Sequence, residues 1–170
     1  EFIINSGNYG PGGHSPKIIS LENGNFVVVW SGDDGNVNNK DDVFGKILNS
    51  SGEVINNLAL GSSINTNTDS WQLKPDVIDL VGDNFLVTWG SSHDGDGYQG
   101  RGQLFDLDGN IIGNEFSIPL NGSDISVNAL PNGGFYAATS SGDGIDIVTA
   151  SLEEGAFDFG NDKVNAPPTL

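Results

Sequence analysis

The chain has 170 residues, no Cys and no Met, and sets 23 Asp plus Glu against 6 Lys plus Arg, a formal charge of −17. That length suits one domain. The missing thiols exclude a disulfide scaffold, zinc–thiolate sites and thiol catalysis, and the charge excludes nucleic acid and an anionic membrane surface as partners.

In chain order, Glu1-Phe2-Ile3-Ile4-Asn5 comes first and resembles Glu115-Phe116-Ser117-Ile118-Pro119. Because residue 1 already lies in a strand-like pattern and no signal peptide opens the chain, a piece of a longer polypeptide is expected. Residues 16–30, from Pro16 through Phe26 to Trp30, return without a gap at 75–89, from Pro75 through Phe85 to Trp89. A weaker third copy runs through Ile125, Val127, Leu130 and Phe135, with Thr139 in place of the Trp. Downstream, Phe44-Gly45-Lys46-Ile47-Leu48 with Gly52 matches Arg101-Gly102-Gln103-Leu104-Phe105 with Gly109, and loosely 147–155. The organisation is therefore a stray fourth-type strand and loop at 1–14, then repeats at 15–73, 74–122 and 123–160. A Pro-containing extended linker follows at 161–170.

Each repeat reads as four short strands: 16–21, 26–30, 43–48 and 54–60 in the first, with 103–107 and 111–118 as the later pair of the second. The 25 Gly and abundant Asn supply the turns between them. No stretch has a helical period of apolar residues, and none is long enough to span a bilayer. The fold class is all-β: three four-stranded antiparallel meanders, β-propeller-blade-like, with a closed β-trefoil-like barrel as the alternative. Trp30 and Trp89 sit at the same offset from Phe26 and Phe85 and are expected to be buried equivalents.

The loops after the second strands concentrate acids. One carries Asp33, Asp34, Asp41 and Asp42, and its counterpart carries Asp94 and Asp96 beside His93 and Tyr98. Carboxylates on Gly-bent loops suit Ca²⁺, a hard cation that takes six to eight oxygen ligands; turn chemistry and solubility account for the same residues. Asp106-Leu107-Asp108-Gly109-Asn110 alternates acids before Gly, but its counterparts lose the alternation, so it reads as a hairpin turn. Ser31-Gly32-Asp33-Asp34-Gly35 only partly matches a sialidase Asp-box. Trp71, in the loop between repeats 1 and 2, has no counterpart; together with Tyr98 and His93 it forms the candidate ligand-binding set, because exposed aromatic faces next to polar groups suit sugars. No catalytic residues are assigned. His14 and His93 lack metal or triad spacing.

With Gly-Asn-Phe-Val-Val-Val-Trp at 24–30, an Asp/Gly-rich loop, and Phe-Gly-Lys-Ile-Leu-Asn-x-x-Gly from 44, the repeats resemble those of secreted RTX-type adhesins and haemolysin-like bacterial proteins. Val-Asn-Ala-Pro-Pro-Thr at 164–169 is similar to the lead-in to cadherin-like or immunoglobulin-like modules of large bacterial surface proteins. The nonapeptide Gly-Gly-x-Gly-x-Asp array of RTX calcium rolls is missing from this sequence. The resemblance implies a secreted or cell-surface location and a non-catalytic spacer or ligand-binding unit in adhesion, with calcium as a candidate cofactor. Its expected partners are an extracellular glycan or protein, neighbouring domains of the same polypeptide, or a second copy that completes a ring. The competing reading is a piece of a polysaccharide-active propeller enzyme.

Overall fold

Alternating apolar residues build three antiparallel meanders in the computed structural model, which describes residues 3–5, 13–33, 35, 40–61, 63–93, 95, 97–142, 144–153 and 156–159. The first contains β1 (His14–Ser20), β2 (Phe26–Asp33), β3 (Asp41–Leu48) and β4 (Val54–Asn57). The second contains β5 (Gln72–Leu80), β6 (Asn84–Ser91), β7 (Gln99–Asp106) and β8 (Ile111–Asn121). The third contains β9 (Ser126–Ala129), β10 (Phe135–Ser141), β11 (Gly144–Glu153) and β12 (Ala156–Phe159). Each meander is its own four-stranded sheet with strands in chain order. Among the described residues no sheet closes into a barrel, so the blade-like reading stands and the trefoil is set aside.

Register makes the repeat literal. Phe26, Phe85 and Phe135 pair with Ser20, Asp79 and Ala129 on one side. On the other side they pair with Leu48, Phe105 and Ala150. Because side chains alternate across a strand, each blade has two faces, and each inter-blade core is built from the far face of one blade and the near face of the next. The first core joins Val27, Val29, Ile47, Leu58 and Ile64 to Val77, Phe85, Val87, Trp89 and Phe105. The second joins Leu80, Leu86, Leu104, Ile118 and Leu120 to Ile125, Val127, Phe135, Ala137 and Ala150. A fully buried Val, Leu, Ile or Phe in these cores contributes about 1.5–3 kcal/mol relative to its exposure.

Polar contacts lock the blades further. Lys17 of β1 lies 3.8 Å from Asp76 of β5, and the second Asp76 oxygen accepts the Val127 N–H of β9 at 3.0 Å, so one carboxylate touches all three blades. Glu115 accepts from both the N–H and the hydroxyl of Thr66, at 2.7 and 2.8 Å.

The turn between third and fourth strands repeats its backbone bonds in the first two blades. Asn49 Oδ1 accepts the N–H of Ser51 and Glu53, as Asp106 Oδ1 accepts those of Asp108 and Asn110. Both turns place Gly at positive φ, Gly52 at 82° and Gly109 at 84°. Asp106 is thus a turn residue. Burial raises its pKa, but hydrogen bonds from the Asn110 side chain and from neighbouring backbone N–H groups outweigh that and hold it below the ordinary carboxylate value.

Several strands run past the expected bounds, β2 to Asp33 instead of 30 and β7 from Gln99 instead of 103, and two departures are larger. The fourth strand of the first repeat ends at Asn57 instead of 60, because Ala59 and Leu60 take left-handed backbone (φ 48° and 56°) before Gly61. That turn drops Leu58 over Gly45, where an added Cβ would lie 2.5 Å from Leu58 Cδ1; Phe116 covers Gly102 in the same way in the second blade. Edge pairing then resumes through Ile64 N–H on Val43 O and Val43 N–H on Asn65 Oδ1. The stray strand is the other departure. Residues 3–5 make no ladder, and Ile4 instead packs against Val28, Trp30, Phe44 and Leu48. The expected linker at 161–170 lies outside the described residues. No helix of the described residues is long and apolar enough to cross a membrane.

Candidate ligand-binding rim

The loops between second and third strands leave the first two blades at one rim, where Asp33 faces Asp41 and Ser91 faces Gln99 in register. Trp71 reaches the same rim from the inter-blade segment, because the next residue, Gln72, pairs with Ser91.

A buried polar network sets that segment. Trp89 Nε1 donates to Gln72 Oε1 at 2.9 Å, and Gln72 Nε2 donates to Ser70 Oγ at 2.8 Å and to Asn67 O at 3.0 Å. Asn67 Oδ1 accepts the Ser70 hydroxyl and the Asp69 N–H. Asn65 Nδ2 donates to Asp42 Oδ1 at 2.6 Å and to Asn67 O at 2.8 Å. Asn65, Ser70, Gln72 and Trp89 are all buried, so each bond in the network satisfies a group that would otherwise be costly to desolvate.

With Ser70 and Gln72 turned inward, Trp71 between them turns out and keeps 39% of its surface exposed. Its backbone is clamped to the loop of the second blade: Trp71 N–H donates to Ser92 Oγ at 3.1 Å, and Ser92 N–H donates to Trp71 O at 3.0 Å. His93 follows directly, exposed, with its N–H on Ser91 Oγ, and Tyr98 stands half-buried just before β7. Trp71, His93 and Tyr98 thus share one rim of the second blade. This network escapes the sequence patterns because its members are ordinary loop residues; the available signal was Gln72, a polar side chain opening a strand directly after an unrepeated Trp.

The acids behave differently. Asp34, Asp94 and Asp96 lie outside the described residues. Asp33 Oδ1 accepts the Gly35 N–H at 2.8 Å, a local turn bond. Asp42 is buried and holds Asn65. Asp41 is buried with Oδ2 3.4 Å from His14 Nε2. Desolvation pushes its carboxyl above the ordinary value, the nearby Asp33 adds to this, and His14 opposes it. Among the described residues no three or more His, Asp or Glu side chains converge on a metal-sized site. Of the candidate acids among the described residues, Asp33 makes a turn bond, Asp42 anchors Asn65 and Asp41 faces His14.

One further concavity, of about 370 Å³, opens between the second and third blades and is lined by Leu104, Phe116, Phe157 and the 112–115 segment. Phe116 and Phe157 touch at 5.2 Å between ring centres, so this space is the outer seam of an inter-blade core. No protein-family model matches the chain, and comparison with curated proteins finds no match.

Proposed function

We propose that the chain is a non-catalytic binding module of a secreted or surface-anchored bacterial protein, taking an extracellular glycan on the rim at Trp71. The observation that carries this reading is the exposed Trp71 on a backbone held from beneath by the Gln72–Trp89 network and from the side by Ser92. A sugar ring offers C–H groups to an indole face and hydroxyls to neighbouring polar groups, and an indole carried on a backbone that is already held loses less entropy on binding than one on a free loop. His93 and Tyr98 extend the same rim with a polar tip each. The −17 charge selects against uronate or sulfated chains and favours neutral or amino sugars.

The test is a glycan array probed in calcium and again in EDTA, with wild type and Trp71→Ala. The reading expects reproducible neutral-glycan signals that Trp71→Ala abolishes. An array without hits, or hits indifferent to Trp71, overturns it. Release of reducing sugar from polysaccharide pools would instead favour the enzyme reading.

A further inference from the structure

We infer that the near face of the first blade is a docking face for one additional three-stranded β-meander of this same repeat type, and that residues 3–5 belong to the fourth strand of that blade.

Ile18, Phe26, Val28, Trp30 and Leu48 of the first blade occupy the register positions of Val77, Phe85, Val87, Trp89 and Phe105 in the second. In the second blade all five are buried against the first. In the first blade Val28, Trp30 and Leu48 are buried, whereas Ile18 is 64% exposed and Phe26 36% exposed. The open part is the inner strand: β1 is exposed at six of its seven positions, whereas its equivalent β5 is covered by β1, β2 and β3 of the preceding blade. The uncovered area is therefore what first, second and third strands of a preceding blade would occupy.

The fourth strand of such a blade is already in place. Ile64 N–H bonds Val43 O, and Ile118 pairs with Gly100, the position equivalent to Val43, so Ile64 and Ile118 are equivalents. Each sits in the core formed with the near face of the following blade. Ile4, matched to Ile118 in Glu1-Phe2-Ile3-Ile4-Asn5, packs on the near face of the first blade in the same way. Lys46 fastens the segment by donating to the Ile4 carbonyl at 2.6 Å. Residues 3–5 form no ladder because the third strand they would pair with is not part of the three blades.

A second copy would offer the far face of the third blade, where Tyr136, Ile145 and Ile147 are exposed beside Asn128, Ala138 and Thr149. It would also bring its own fourth strand, β12, into competition with residues 3–5.

The experiment joins residues 72–114 directly ahead of Glu1, so that Glu1 follows Asn114 as Glu115 does in the natural repeat. A control extension replaces the far-face residues Ile78, Leu86 and Leu104 by Ser. Amide exchange is followed at β1 and at residues 3–5, and sedimentation gives the assembly state of the unextended chain. The inference expects exchange there to slow at least about tenfold with the native extension and not with the control, and a monomeric unextended chain. Equal protection by both extensions, or by neither, overturns it. An unextended chain that dimerises, and does so no longer with Ile18→Asp, overturns it in favour of a second copy.

Discussion

Replacing Trp89 by Phe tests the link between the inter-blade core and the rim. The change keeps an aromatic ring in the first core but removes the indole N–H that Gln72 Oε1 accepts at 2.9 Å. Gln72 is 1% exposed, so water cannot take over the bond. A buried acceptor left without a partner costs about 1–3 kcal/mol, and the space vacated by the smaller ring adds to it, for a total of about 2–4 kcal/mol. For a domain of this size that is a fall in Tm of about 5–15 °C. Calorimetry or circular dichroism reads it directly. Gln72→Leu and the double variant complete a cycle, and the account expects a coupling of about 1–2 kcal/mol between the two positions. Additivity within about 0.5 kcal/mol would refute the network, as would an unchanged Tm for Trp89→Phe.

Other perturbations test separate elements. Gly90→Ala should lower stability by about 1–3 kcal/mol, because the new Cβ would lie 2.5 Å from Ser123 Cα, which is backbone and cannot swing away; Gly142→Ala, with open space around it, should melt like wild type. Leu60→Gly should raise stability by about 0.5–1 kcal/mol in a thermal melt, since Leu60 is 94% exposed and held at φ 56°. Asp79 is held above the ordinary carboxylate value by burial first, then by Glu22 and Asp83. The native state therefore binds its proton more tightly than the unfolded chain, and the stability this group contributes at low pH is lost as pH rises through its folded value. Asp79→Asn should accordingly melt higher than wild type at pH 7, with the difference closing below about pH 4, where the unfolded carboxylate also takes up a proton.

Much of the fold was legible because a repeat is visible to itself. The ungapped match of 16–30 to 75–89 reports equal strand lengths and equal turns, and the register of Phe26 and Phe85 bears it out. Trp30 and Trp89 are buried equivalents, as their offsets imply, though Trp89 faces another blade while Trp30 shares its cluster with Ile4. What stayed hidden depends on contacts between elements. Nothing local in Leu58-Ala59-Leu60-Gly61 announces a left-handed turn; it follows from Leu58 filling the gap over Gly45, a tertiary demand that overrides the alternation through residue 60. Ser15 and Lys74 likewise share a φ of 50° at matching bulges just before Pro16 and Pro75, where the prolines marked a strand start but not the kink. At the rim, unrepeated Trp71 stood out, but the groups that aim it did not. Asp42 read as a candidate cation ligand because charge shows in a sequence, whereas its bond to Asn65, 23 residues away, does not.

The most direct test of the central claim is calorimetric titration of a neutral oligosaccharide taken from the array into wild type and Trp71→Ala. Stacking on an aromatic face supplies roughly 1–3 kcal/mol in base recognition, and a loss of that size makes the variant bind about 5- to 150-fold more weakly. With 39% of Trp71 exposed and the rest covered, the variant should melt somewhat lower than wild type yet remain folded, which a thermal scan checks before the titration. Equal affinity in the two proteins would contradict a glycan site at this rim.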